Sequence, residues 1–170
     1  MSSYNHIDYC KDIAENLKTI AHTTGKPRFF ISTGLAALDG LVAHSASANL
    51  PCIVAEDGCD ERIYDNTGDN PLSIPFYTIY VLFKASPGND SEVMGARKNA
   101  RVEAKKIVAR MYSDYLNQLN GLALLDPNSI RLQGVGPLGD FGHGVMITFT
   151  LQQAAGITYN PNDWLDESGS

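Results

Sequence analysis

The chain has 170 residues, of which 44% are apolar and 19% charged, and its formal net charge is −6 at pH 7. This length and apolar fraction indicate one globular domain and exclude a disordered chain. The acidic balance argues against general affinity for nucleic acids, and no apolar stretch approaches the roughly eighteen residues of a membrane-spanning helix, so we expect a soluble protein made in a cytoplasm.

The first predicted element is a helix near the N-terminus. Apolar residues recur at three- and four-residue spacing over residues 7–21, and Ser2 or Ser3 can cap the first turn. Gly25 and Pro27 come shortly afterwards, and both residue types are typical of the end of a helix.

Two strands and an acidic segment are predicted next. Residues 28–32 and 52–56 are short apolar runs that indicate strands. Between them, residues 34–49 leave two interpretations open: Leu and Ala favour a helical turn, whereas glycines and small residues favour an irregular crossover. Residues 57–70, called here the acidic segment, predict a solvated loop. Its carboxylates belong to Asp57, Asp60, Glu61, Asp65 and Asp69.

The second half begins with the clearest strand and ends with a hairpin. Residues 74–85 are almost entirely β-branched, aromatic or aliphatic, and they indicate a strand covered on both faces. After a turn at 126–128, residues 129–135 and 145–152 are predicted strands. The glycine-rich residues 136–144 between them suit a wide hairpin loop.

A long helix is predicted over residues 91–120, capped by Asp90 or Ser91. Its apolar residues fall on one face, which we expect to pack on the core. They are Ala100, Ala104, Ile107, Val108, Met111, Tyr115 and Leu119. Six basic residues lie between them: Arg97, Lys98, Arg101, Lys105, Lys106 and Arg110.

The charge of this helix opposes that of the rest of the chain. Residues 97–110 carry six Lys or Arg and one Glu, a net +5, while the remainder carries −11. Such polarity is either a solvated helix face or a docking surface for an acidic neighbour or DNA.

Together these elements predict an α+β fold. A mixed or antiparallel sheet would pack on the N-terminal helix and the long amphipathic helix. We expect one domain over residues 1–153 and a flexible acidic tail over residues 154–170.

No pattern of residues predicts catalysis, a cofactor or a metal. The four histidines are scattered, and the acidic segment lacks the ligand spacing of a calcium loop. Gly134, Gly136 and Gly139 match a dinucleotide-binding spacing, but a strand rather than a helix follows them. His143 is expected in a loop. The three cysteines include no CxxC pair and favour reduced, buried thiols. Because none of these patterns forms an active site, we predict that the protein is not an enzyme.

The order of elements nevertheless resembles a known group of proteins. Two segments carry the resemblance together with the long strand, Phe76 to Phe83, and the helix that follows it. They are Leu50-Pro51-Cys52-Ile53-Val54-Ala55-Glu56 and Gly134-Val135-Gly136-Pro137-Leu138-Gly139-Asp140-Phe141-Gly142-His143-Gly144. Over about residues 3–153 the chain is similar to the tail-terminator and neck (head-tail joining) proteins of long-tailed bacteriophages and prophages.

The resemblance implies a structural virion protein made in the bacterial host cytoplasm. It would form a ring, usually a hexamer, that terminates the tail tube and binds the head-side connector, with no cofactor, membrane or specific nucleic-acid partner. Arg97, Arg101 and Lys105 would then face the acidic segment of an adjacent subunit. Two alternatives stay open: another phage structural or adaptor protein of similar fold, and a small cytosolic α+β enzyme or ligand-binding module.

Overall fold

A computed structural model describes residues 3–42, 49–58, 60–65 and 71–163. Its helices are α1 (His6–Asn16), α2 (Leu35–Leu41) and α3 (Asp90–Leu116). Its strands are β1 (Phe29–Ser32), β2 (Cys52–Glu56), β3 (Glu61–Tyr64), β4 (Leu72–Lys84), β5 (Arg131–Leu138), β6 (Gly142–Thr150) and β7 (Gln153–Ala154). Short 3₁₀ turns follow α3 at Leu122–Leu124 and Pro127–Ser129, and a third lies at Pro161–Asp163.

The strands form a mixed sheet in the order β1-β2-β4-β6-β5. Strands β1 and β2 are parallel, and the remaining pairs are antiparallel. Strand β4 has 13 residues, and its first residues extend beyond the neighbouring strands of this sheet. There β3 pairs with one edge of β4 and β7 with the other, which makes a three-stranded extension at one end of the molecule.

Helices α1 and α3 cover one face of the sheet, and α2 packs against the other. The larger core contains Ile13 from α1, Ile107 and Met111 from α3, and Ile79 and Ile147 from the sheet. A second cluster joins α2 to the opposite face. The predicted α+β class is therefore confirmed.

The predicted inner face of the long helix is confirmed in most positions. Ala100, Ala104, Ile107 and Met111 are buried, and Val108 is half-buried against the same core. Leu119 is 52% exposed because α3 ends at Leu116. The helix begins after Asn89, whose side chain accepts a hydrogen bond from the Glu92 amide, so neither Asp90 nor Ser91 is the cap.

The N-terminal helix is shorter than its apolar pattern predicts. Asn5, not Ser2 or Ser3, caps it by accepting a hydrogen bond from the Asp8 amide. The helix ends at Asn16, and the chain then turns so that Ala21 adopts a φ of 48°. The pattern continues past this end because Ile20 is fully buried in the core without being helical.

Two predicted loops contain strands. Within the acidic segment, residues 61–64 form β3, because pairing with β4 supplies hydrogen bonds that local composition does not reveal. In the glycine-rich stretch, β5 extends to Leu138 and β6 begins at Gly142, which leaves a turn at residues 139–141. His143 therefore lies buried in β6, and the prediction that it is a loop residue was wrong.

Candidate interaction surfaces

The basic row, defined as Arg97, Arg101 and Lys105, lies on the solvent side of α3. The positions are four residues apart, and all three side chains are exposed. Arg97 also donates a hydrogen bond from Nη2 to the Gly136 carbonyl, 3.1 Å away, which fixes the start of the row beside the β5–β6 hairpin. In the described part of the chain, neither Arg101 nor Lys105 forms an ion pair.

Two other basic residues of α3 are bound to acids of the same subunit. Lys106 Nζ lies 2.7 Å from Oε1 of Glu103, and Arg110 Nη2 lies 2.7 Å from Oδ2 of Asp12. A third acid, Asp114, is 3.7 Å from Arg110 Nε and accepts a hydrogen bond from the Tyr9 hydroxyl. The positive charge that is free to meet a partner is therefore concentrated over residues 97–105 of α3.

The described acidic residues lie where β2 passes into β3. Asp57, Asp60, Glu61 and Asp65 are exposed, and Asp69 lies outside the described residues. Gly58 holds this crossing against the sheet with a φ of 73°, and a Cβ at this position would approach the Tyr77 ring to 2.9 Å. The Asp60 carbonyl then accepts a hydrogen bond from the Phe76 amide, so β3 starts in register with β4.

The basic row and the acidic segment lie toward opposite ends of the subunit. Strand β4 begins beside β3 and ends at Lys84, shortly before α3 begins at Asp90. Helix α3 therefore starts at the end of β4 that lies far from β3. Beyond α3, Leu125 pairs with Leu151 next to β7, which places the end of the helix near the extension. A 27-residue helix is about 40 Å long. One subunit therefore does not bring Arg97 and Glu61 together.

The extension also exposes apolar side chains that sequence reasoning missed. All four residues of β3 are exposed, and Ile63, Tyr64 and the neighbouring Phe76 of β4 are 48%, 38% and 45% exposed. Arg62 lies over the Tyr64 ring, 5.5 Å from its centroid. Ile63 and Tyr64 lie in a charged stretch that is too short to show a periodic apolar pattern, so the sequence provided no clear signal of this surface.

His6 is a buried polar residue that ties α1 to the sheet. Its Nε2 donates a hydrogen bond to the Thr78 carbonyl at 3.1 Å, so Nδ1 accepts one from the Tyr4 hydroxyl at 3.0 Å. Burial lowers the pKa of His6 to about 4, and the ring is neutral at pH 7. Burial also raises the pKa of Cys10 well above its usual range and that of Cys52 to about 12. These two thiols are free and buried, as predicted, while Cys59 lies outside the described residues.

A cleft of about 330 Å³ lies between the start of α3 and the β5–β6 hairpin. Arg97 and His143 line it together with the acids Asp90 and Asp140. Burial, and then the nearby charge of Arg97, lower the pKa of His143. The mixture of charges on its walls selects no single class of ligand.

Within residues 3–42, 49–58, 60–65 and 71–163, no group of three or more His, Cys, Asp or Glu residues is placed to hold a metal ion. No helix in those ranges has both the length and the apolar character needed to span a bilayer. Comparisons of the chain with protein-family models, curated proteins and solved structures found no match.

Proposed function

We propose that this chain is a structural subunit of a phage or prophage tail or neck. Copies of it form a ring, expected to contain six, that terminates the tail tube and joins it to the head-side connector. The subunit is made in the host cytoplasm and becomes part of the virion. Its role in this proposal is to bind protein neighbours, without catalysis or a cofactor.

The separation of the basic row from the acidic segment carries this proposal. In a head-to-tail contact, two different patches of one chain meet on neighbouring copies, and such contacts close into a ring when the rotation allows it. Patches of opposite charge toward opposite ends of the subunit suit that arrangement, because neither can satisfy the other within one copy. Asp90 and Glu92 lie beside the row, in the first turn of α3. Because these two side chains are negative, the attraction to the acidic segment depends on all three basic residues of the row together.

Charge alone is too weak to hold such a ring. An exposed ion pair contributes about 0 to 1 kcal/mol, and complementary charge mainly sets specificity and the rate of encounter. The exposed side chains of Ile63, Tyr64 and Phe76 supply apolar area next to the acidic segment. Contact through the extension would therefore bury both charge and apolar surface.

Charge reversal tests this proposal. Changing Arg97, Arg101 and Lys105 together to Glu should weaken assembly at low salt, while circular dichroism shows an unchanged fold. The matched control changes Lys18, Lys26 and Arg131 to Glu, which alters the net charge equally at exposed positions outside the row. Lys substitutions at Asp57, Asp60 and Glu61 should partly restore assembly of the first variant. Normal assembly of that variant at low salt would show that the row is a solvated face and that the interface lies elsewhere.

A further inference from the structure

His143 is a buried polar side chain with an unpaired nitrogen. Its side chain belongs to a residue that is 4% exposed, and Nδ1 has no hydrogen-bond partner in the part of the chain that the structure describes. His6 is also buried, but both of its ring nitrogens are hydrogen-bonded. Leaving a buried polar atom without a partner costs free energy, so such an atom in a folded protein is a candidate for a functional role.

The His143 ring lies where the start of α3 meets the β5–β6 hairpin. Gly136 of β5 has a φ of 110°, and a Cβ at this position would approach His143 Nδ1 to 2.8 Å. The absence of that side chain lets the β5 backbone cover the ring. The Gly136 carbonyl also accepts the hydrogen bond from Arg97 Nη2. The ring, the hairpin and the helix therefore meet at Gly136.

The sheet holds this part of β5 only weakly. The register of the β5–β6 ladder shifts between Val135 and Leu138, so Gly136 has no paired residue in β6. Farther along, Leu138 is buried in the cluster beneath α2, and the Gly139 amide donates a hydrogen bond to Asp39 of α2. The turn of the hairpin is therefore anchored, whereas the residues between Val135 and Leu138 can move relative to α3.

Charged side chains from three elements surround this part of the hairpin. They are Asp90 and Arg97 of α3, Asp140 of the turn and Lys84 of β4. The two carboxylates are exposed, Lys84 lies over the Phe141 ring, and the residues that β5 contributes to the cleft are uncharged. Burial, and then the charge of Arg97, lower the pKa of His143. A protonated ring would therefore carry its charge in a buried position beside a second positive group.

We infer that His143 is a pH-sensitive switch: when its ring gains a proton, Arg97 leaves the Gly136 carbonyl and the start of α3 separates from the hairpin. Separation lets water reach the ring. In the open junction the ring has the ordinary histidine pKa of 6.5, whereas in the closed junction its pKa is lower. The open form therefore binds a proton more tightly and gains population as the pH falls below 6.5. The switch goes beyond the proposed function, because it acts within one subunit and requires no partner.

Hydrogen exchange of the full chain, measured by mass spectrometry from pH 7.5 to 5.5, tests the switch. After correction for intrinsic exchange rates, peptides covering residues 90–97 and 134–143 should lose protection severalfold over this range. Their free energy of opening should stay below that of peptides from α1 and β2, because the opening is local. Protection at the junction that does not change with pH, or opening free energies equal to those of α1 and β2, would overturn the inference.

Three variants assign the effect to His143. His143→Gln keeps a polar side chain that gains no proton in this pH range, so it should remove the pH dependence at the junction. His22→Gln, a half-buried histidine outside the junction, is the control and should retain it. Arg97→Gln removes the guanidinium and keeps His143, so the junction should exchange faster at pH 7.5 and depend less on pH. If circular dichroism shows that His143→Gln does not fold, Arg97→Gln decides alone. The full wild-type pH dependence in either junction variant would overturn the inference.

Discussion

His6 shows how a single side chain can link this fold to pH. Its two ring nitrogens are occupied by the Tyr4 hydroxyl and the Thr78 carbonyl, and Cys10 Sγ lies 3.7 Å from Nδ1. A proton on Nδ1 would put a charge in an apolar core and would break the hydrogen bond that Nδ1 accepts. The folded state therefore holds the ring neutral.

We predict that His6 makes the protein lose stability in mild acid. The contribution of the neutral His6 ring to the free energy of unfolding is complete above pH 6.5, the ordinary pKa of histidine. It is lost as the pH falls toward the pKa of about 4 that His6 has in the folded state. At about 1.4 kcal/mol per pH unit, the full loss is about 3 kcal/mol. Urea titrations between pH 4.5 and 7.5 should show a flatter pH dependence for His6→Gln than for the wild type, with His22→Gln as the control. An NMR midpoint near 6.5 for the His6 ring would contradict the prediction.

Ile107 tests which side of α3 faces inward. It is 2% exposed and packs in the cluster that joins α1, α3 and the sheet. Ile107→Ala should lower the free energy of unfolding by about 2 to 5 kcal/mol, the cost of deleting a large buried aliphatic side chain. The control, Val102→Ala on the exposed side of the same helix, should change it by less than about 0.5 kcal/mol. Equal losses in denaturant titration would show that the helix is placed wrongly.

At the scale of elements, the long regular ones could be predicted from sequence and the short ones could not. Helix α3 repeats its apolar spacing over many turns, and β4 is a long apolar run. The local sequence of each element is therefore enough to indicate its secondary structure. Strand β3 forms because β4 extends far enough to pair with it, and such pairing leaves no local signal. The end of α1 was misplaced because buried Ile20 continues the helical spacing through a turn.

The candidate surfaces also include features that could be predicted from the sequence and features that could not. The basic row could be found because charge is visible in a sequence, and its exposure agrees with the predicted helix face. The separation of the row from the acidic segment could not be found, because it depends on how β4 and α3 run past each other. The exposed apolar residues of the extension were missed because they come from two strands and lie on both faces of it, with Tyr64 and Phe76 on one face and Ile63 on the other.

The exposed apolar residues of the extension provide a test at the scale of elements. Ile63→Ser together with Phe76→Ser should weaken assembly and leave the free energy of unfolding nearly unchanged, because both side chains are about half exposed in the single subunit. Ile31→Ser, at an equally exposed position on β1, is the control. Sedimentation velocity measures the assembly, and unaltered sedimentation of the double variant would exclude the extension from the interface.

At the scale of the whole molecule, the fold separates its core from its surfaces of contact. The sheet and two helices form a buried centre, while the basic row lies on α3 and the exposed residues Ile63, Tyr64 and Phe76 lie on the extension. A subunit built in this way offers two unlike surfaces at its two ends. The proposed ring follows from that polarity and from the resemblance of the element order to tail-terminator and neck proteins.

The molar mass of the assembly tests this account most directly. Light scattering during size-exclusion chromatography measures that mass, first for the protein alone and then with a tail-tube protein, if a neighbouring gene encodes one. Six copies of the 18.4 kDa chain give about 110 kDa, the value that the account predicts for the ring. A particle that stays at 18.4 kDa at high concentration, and that remains a monomer when the tail protein is added, would contradict it.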